Sequence, residues 1–208
     1  MKTTVVDHPL AAEQLTVLRD ETTDRATFRR AVDNLAAMLI YEATRDLAVE
    51  TTQVTTPLGP AEGVRLPRLP VVVPVLRAGL GMADAAIRLL PEAEMSFVGL
   101  ARDEETFEPK SYMAKLPARL DGRPVIILDP MLATGGSGSA AIARVKADAS
   151  PTSISFVCVV AAPEGVAKIE ADHPEVPIVA GALDRELNDI GFILPGLGDF
   201  GDRLHGTE

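Results

Sequence analysis

Five runs of bulky apolar residues punctuate the chain, at residues 69–75, 95–101, 123–129, 153–162 and 176–180. They are continuous rather than alternating, which predicts short strands buried on both faces. Val125, Ile126, Ile127 and Leu128 are the clearest case. Between the runs the period lengthens. The spacing predicts a helix from a loop at 76–81 through Leu90, stopped by Pro91, and further helices over 138–149 and 164–172. Ahead of them, His8-Pro9 opens a helix over 10–19. A second helix over 24–47 has Phe28, Val32, Leu35, Leu39 and Ala43 near helical spacing and Asp24 as its N-cap. Residues 51–56 and 61–66, joined through Leu58-Gly59-Pro60, read as a β-hairpin arm whose apolar side suits a subunit interface. Residues 102–116 read as a polar, charge-mixed loop, and 191–202 as too rich in Gly and Pro for regular structure.

Strands alternating with helices predict a doubly wound, mostly parallel α/β sheet within a single domain, residues 1–208. Ligands of such sheets bind beyond the carboxyl ends of the strands. That rule aligns Arg77, Arg102 and Asp129, each at the end of a predicted strand, along one rim.

Composition narrows the picture little. Aromatics are 4% of the chain against 47% hydrophobic residues, so the core is expected to be aliphatic. A formal charge of −10 argues against general nucleic-acid binding, which needs basic surface, while leaving room for a local basic pocket. The lone Cys158, within Phe156-Val157-Cys158-Val159-Val160, reads as a buried, inert thiol in a reducing compartment. The amino terminus has no apolar signal core and no run is long enough to span a bilayer, so no membrane partner is expected and the cytoplasm is the expected location.

The candidate chemistry gathers at residues 125–137. There a strand feeds Asp129 and then Thr134, Gly135, Gly136 and Ser137 at the start of an alanine-rich helix. Converging N–H groups and a helix N-terminus make such a turn a phosphate cradle. Alternatively, Ser137 simply caps the helix. On this segment alone the two readings stand level. Arg77 and Arg102 offer two guanidinium forks suited to phosphate, or else are two solvated arginines. Asp129 between them suits sugar hydroxyls or magnesium, or else partners a helix N-terminus. There is no Walker A sequence, no strand-following G-x-G-x-x-G and no nucleophile elbow; Gly79 and Gly81 alone are weak. His8, His173 and His205 are too scattered for a metal site. What remains is group transfer by positioning and charge stabilisation.

Three segments, VPVLRAGLGM within residues 71–85, DPMLATGGS at 129–137 and LPGLGDFGD at 194–202, closely resemble the uracil phosphoribosyltransferase family. Weaker matches are RDEETFEP at 102–109, YEAT at 41–44 and AAPEG at 161–165. They occur in the family's order along essentially the whole chain. The resemblance implies a type I phosphoribosyltransferase fold with a C-terminal hood over the base. The implied reaction converts uracil and 5-phospho-α-D-ribose 1-diphosphate (PRPP) to UMP and diphosphate, with Mg²⁺, in pyrimidine salvage. It also implies that Asp129, Pro130, Met131, Leu132, Ala133, Thr134, Gly135, Gly136 and Ser137 form the PRPP loop, with the 5′-phosphate at residues 134–137. Arg77 and Arg102 resemble the arginines that grip the diphosphate, and Asp129 and Arg102 are the implied catalytic pair. Asp199 resembles an acid on the PRPP side. Ile193, Gly198, Asp199 and Phe200 match the segment that reads uracil, mostly through main-chain groups. A homo-oligomer is implied, and GTP is a candidate activator.

Departures are few. Phe200 stands where the family commonly has Ala, Phe192 where it has Tyr, and His205 where it has an aromatic. If the Phe200 ring pointed into the base site, substrate range would change, which keeps a transferase for another base as a rival. An RNA-binding regulator that keeps the same fold is a second rival, opposed by the acidic balance.

Overall fold

The structure, a computed structural model, describes residues 3–102, 109–115 and 120–207, with 100–102 and 109–115 described at the backbone only. The chain opens with β1 (Thr3–Val5), α1 (Pro9–Arg19) and α2 (Arg25–Ala43), then β2 (Glu50–Thr56) and β3 (Gly59–Arg65). There follow β4 (Val71–Leu76), a 3₁₀ turn (Ala78–Met82), α3 (Ala83–Leu89), β5 (Phe97–Arg102) and β6 (Pro109–Lys115). The central segment is β7 (Pro124–Leu128), β8 (Met131–Leu132), α4 (Gly136–Asp148), β9 (Ser153–Ala161), α5 (Pro163–Asp172) and β10 (Ile178–Leu183). The chain closes with β11 (Glu186–Leu187), β12 (Ile193–Leu194) and α6 (Phe200–His205).

The five apolar runs become β4, β5, β7, β9 and β10, in an eight-stranded sheet of order β1-β10-β9-β7-β4-β5-β6, with β8 paired to β9. Every pairing in this sheet is parallel except β5 with β6. Continuous apolar sequence is needed because both faces are covered. On β7, Ile126 and Leu128 pack with residues of α1, α2 and α3, whereas Val125 and Ile127 pack with residues of α4 and α5. On β9, Val157 and Val159 face the first group, and Phe156 and Cys158 the second. Burial pushes the Cys158 thiol far up, with the nearby Asp129 carboxylate adding to the effect, so it is inert as expected.

Local signals mostly hold. Asp24 caps α2, its Oδ1 accepting from Ala26 N at 2.9 Å and Thr27 N at 3.0 Å. His8 caps α1 by accepting from Leu10 N at 3.2 Å. The hairpin forms between β2 and β3, with exposed Val54, Leu58, Val64 and Leu66 along it.

The differences are instructive. The second helix ends at Ala43, short of residue 47, because beyond Thr44 the backbone bonds tighten to i−3, Arg45 N donating to Glu42 O at 3.1 Å and Leu47 N to Thr44 O at 3.2 Å. β1 has only three residues, too few to show a period, and exists because it pairs with β10. The stretch read as a polar loop contains β6, which runs antiparallel to β5 at the sheet edge, where polar sequence is tolerated; residues 103–108 and 116 of that stretch lie outside the described residues. The Gly- and Pro-rich tail carries both β12, paired with β11, and α6.

Phe28 ties this tail to the core. It is fully buried on α2, and its ring meets that of Phe200 edge-on at 5.6 Å between centroids. Phe28→Ala is therefore expected to cost about 3–5 kcal/mol, as for large aromatic truncations in a packed core. Urea denaturation followed by circular dichroism measures it.

Candidate active site

β4 has β5 on one side and β7 on the other, so the winding direction reverses between β4 and β7. Two loops leaving such neighbours in opposite directions open a crevice at their carboxyl ends. The loop after β4 starts with Arg77, and the loop after β7 starts with Asp129.

A cavity of about 750 Å³ occupies this position. Arg77 lines it from the β4 loop, Met131 from β8, and Asp199, Phe200, Asp202, His205 and Thr207 from the C-terminal segment. The Arg77 side chain is exposed, and the Leu76–Arg77 peptide is cis. Asp199 caps α6, its Oδ1 accepting from Asp202 N at 2.9 Å. Phe200 is 2% exposed, with its ring packed on Phe28, so it walls the cavity and does not stand free inside it.

Asp129 is nearly buried, 9% exposed. Burial pushes its carboxyl up from 3.8 to about 7, opposed in part by a hydrogen bond from the Met131 backbone. Its own N–H donates to Val157 O at 3.1 Å. Pro130 is buried, and its carbonyl accepts from Val159 N at 2.9 Å and Val160 N at 3.1 Å. The carbonyl of buried Leu132 accepts from Ala162 N at 2.8 Å. Residues 129–132 are thus fixed along β9 by ladder bonds, before the chain is released through half-buried Ala133.

The helix that follows has Gly135 at its N-cap, with φ +81° and no side-chain cap, while Gly136 is its first residue. Ser137 therefore lies inside the first turn and does not cap the helix. With no acidic side chain in that turn, the amides point outward uncapped. Thr134 and Ser137 are exposed. The capping reading of Ser137 therefore falls, and an uncapped helix N-terminus of this kind is able to receive an anion.

The structure thus gathers Arg77, Met131, Asp199 and Phe200 around one cavity, with Asp129 buried two residues before Met131. Ile193 is instead 4% exposed and part of the core, leaving its main chain as the group able to meet a ligand, while Gly198 is exposed with φ +82°. Neither Ile193 nor Gly198 lines the cavity. Arg102 ends β5, as the rim requires, but its side chain lies outside the described residues.

Three residues that the sequence does not single out hold the C-terminal segment in place. Arg203 donates to Leu18 O, to Leu197 O at 2.8 Å and to Asp20 O at 2.6 Å, with its guanidinium 4.5 Å from the Phe28 ring centroid. Arg19 pairs with Asp184, itself 8% exposed. These partners are up to 185 positions apart, so no local pattern could have announced them.

Known proteins resemble this chain along nearly its whole length. A family profile described as uracil phosphoribosyltransferase matches residues 5–207. A uracil phosphoribosyltransferase of Corynebacterium efficiens is 51% identical over 208 residues, covering 100% of this chain and 98% of the relative. One from a Nocardioides species is 54% identical, covering 99% of each. Among solved structures, the AQ2163 protein of Aquifex aeolicus superposes with a TM-score of 0.92 at 40% identity, covering 99% of both chains. The adenine phosphoribosyl transferase of Trypanosoma brucei has a TM-score of 0.59 at 13% identity over 95% of this chain and 87% of its own, a likeness of fold.

Proposed function

The chain belongs to the uracil phosphoribosyltransferase family, and on that premise we propose how its rim transfers the phosphoribosyl group of PRPP to uracil, giving UMP and diphosphate. The observation that carries the reading is one cavity at the switch point lined jointly by Arg77, Met131, Asp199 and Phe200.

PRPP lies with its 5′-phosphate on Thr134, Gly135, Gly136 and Ser137, where uncapped helix amides and a positive dipole end favour an anion. Its diphosphate faces Arg77 and Arg102, whose forks match phosphate oxygens. Asp129 faces the ribose from beneath, and Asp199 closes the PRPP side. Uracil meets the main chain of Asp199 and Phe200, which line the cavity, and, on the family resemblance, that of Ile193 and Gly198, which do not. Its acceptor–donor–acceptor edge is matched by peptide groups, whereas cytosine would leave a buried group unpaired.

As uracil N1 bonds to the ribose anomeric carbon, the bond from that carbon to the diphosphate breaks and the N1 proton passes to solvent. Positive charge develops at the carbon and negative charge on the departing diphosphate. Arg77 and Arg102 stabilise the latter, and the buried Asp129 carboxylate offsets the former. Mg²⁺ fits this donor set. It binds through one or two carboxylates plus substrate phosphates and keeps its waters. Asp129 offers one such carboxylate, and among the described residues no group of three His, Cys, Asp or Glu forms a cage. When bound, the ion supplies further positive charge to the leaving group.

The reading includes a homo-oligomer joined through the β2–β3 arm, testable by sedimentation, GTP as an activator, a single domain and a cytoplasmic location. Among the described residues no helix is long and apolar enough to cross a membrane.

The test is uracil-dependent diphosphate release from PRPP, with and without Mg²⁺ and with and without GTP, beside cytosine, hypoxanthine and orotate. Release with uracil and Mg²⁺ alone is expected. Release with another base and none with uracil would overturn the assignment.

A further inference from the structure

The loop between β12 and α6 has no regular structure of its own, yet the proposed reading requires it to present peptide groups to the base in fixed positions. Gly196 lies at its centre. It has φ +61°, and a Cβ there would come within 2.2 Å of Ile193 O, so the chain folds back tightly and can carry no side chain. What grips this turn comes from elsewhere. Gly196 N donates to Asp184 Oδ2 at 2.8 Å, and Gly196 O accepts from Arg19 NH1 at 2.7 Å. The same guanidinium makes a fork to Asp184, with NH1 at 2.8 Å from Oδ2 and NH2 at 2.6 Å from Oδ1.

Both ends of this clamp are rooted. Arg19 is the last residue of α1. Asp184 follows β10, and its N–H donates to Ala161 O at 2.8 Å. The Asp184 side chain is 5% exposed and that of Arg19 is 26% exposed, so the pair is shielded from competing water. Next to it, Arg185 N donates to Leu194 O at 3.0 Å. The PRPP loop has separate anchors, to Val157, Val159, Val160 and Ala162 on β9 and just beyond it.

We propose that Arg19 and Asp184 are positioning residues for the base: by holding both backbone groups of Gly196, their ion pair sets where the main chain of residues 193–198 meets uracil. The inference rests on the reading that this segment receives uracil. It extends the site to α1. Neither residue touches substrate. Each acts through Gly196.

The two backbone bonds to Gly196 are charge-assisted, so their loss should appear in uracil binding and spare the PRPP loop. Arg19→Lys is the sharper variant, because a lysine can keep a charge opposite Asp184 but cannot also fork to Gly196 O. Asp184→Asn removes the charge at nearly constant shape. Steady-state kinetics of the full chain with Mg²⁺ and PRPP should give a uracil KM raised about tenfold in either variant, with kcat and the PRPP KM unchanged. Discrimination against cytosine should fall alongside.

An unchanged uracil KM in a variant that melts like the wild type overturns the inference. So does an equal rise in both KM values, or a fall in kcat alone, which marks a merely structural pair. If Asp184→Asn does not fold, Arg19→Lys decides alone. Wild-type protein that turns over PRPP with no uracil dependence would defeat the underlying base assignment instead, and is distinguishable because it appears before any substitution.

Discussion

Asp129→Asn is expected to lower turnover by about a hundredfold or more while making the protein more stable at pH 8 than the wild type. The two effects have one cause. Burial raises the Asp129 carboxyl from 3.8 to about 7, so between those values the folded protein holds a proton that the unfolded chain releases. Stability attributable to this group is therefore full below pH 4, declines as pH rises toward 7 and is flat above. At one pH unit per 1.36 kcal/mol, the penalty at pH 8 approaches about 4 kcal/mol. Asparagine removes it, and its amide oxygen can still accept the Met131 backbone bond. Urea denaturation at pH 4.5, 6 and 8 should show the variant's advantage growing with pH; a difference constant across that range would mean the carboxyl is not strained by burial. In the proposed reaction the ionised form is the one that offsets charge at the ribose. Wild-type kcat/KM for PRPP should accordingly fall as pH drops through about 7, and this limb should vanish in the residual activity of the variant. Natural proteins commonly tolerate such a cost where a site needs a desolvated acid.

Gly135→Ala is expected to raise the KM for PRPP about tenfold or more, with the uracil KM unchanged. Gly135 turns the chain into α4 at φ +81°, a conformation that costs alanine about 1–2 kcal/mol. Space is closed as well, since a Cβ would come within 2.8 Å of Gly165 O and of Lys168 Cβ on α5. The loop must then lift away from α5, and the first-turn amides move with it. Those amides are directional, so a shift of an ångström misaims them. Initial rates over a matrix of both substrates separate the two constants. An unchanged PRPP KM in the folded variant would mean the phosphate does not rest on this turn.

How much of this was legible in the sequence depends on how far apart the interacting partners lie. β7 could be read from four apolar residues because burial on both faces leaves that signature in a single short run. Asp24 could be read as a cap because its partners are two and three positions away. The rim could be read because strand ends and loop starts are local, and the switch-point rule converts them into a place. The remainder was hidden for the converse reason. β1 and β6 are specified by the strands they pair with and not by their own pattern. The tail was misread because Gly and Pro do signal turns, yet here Phe28, Arg203 and Arg19 order the turns from outside. Motif resemblance supplied the roles proposed for Asp199 and Phe200. It was silent on Asp184, whose work is done through a backbone and leaves no motif.

The grip of Arg19 on residues 184 and 196 spans 165 and 177 positions of chain, and that distance has a consequence for biosynthesis. A contact of such sequence separation closes a larger loop than a local one and cannot form until both of its ends have been synthesised. On the ribosome, the central strands can assemble while the base-facing hood is still inside the exit tunnel. On the proposed assignment, a nascent chain would thus hold phosphate before it could select a pyrimidine.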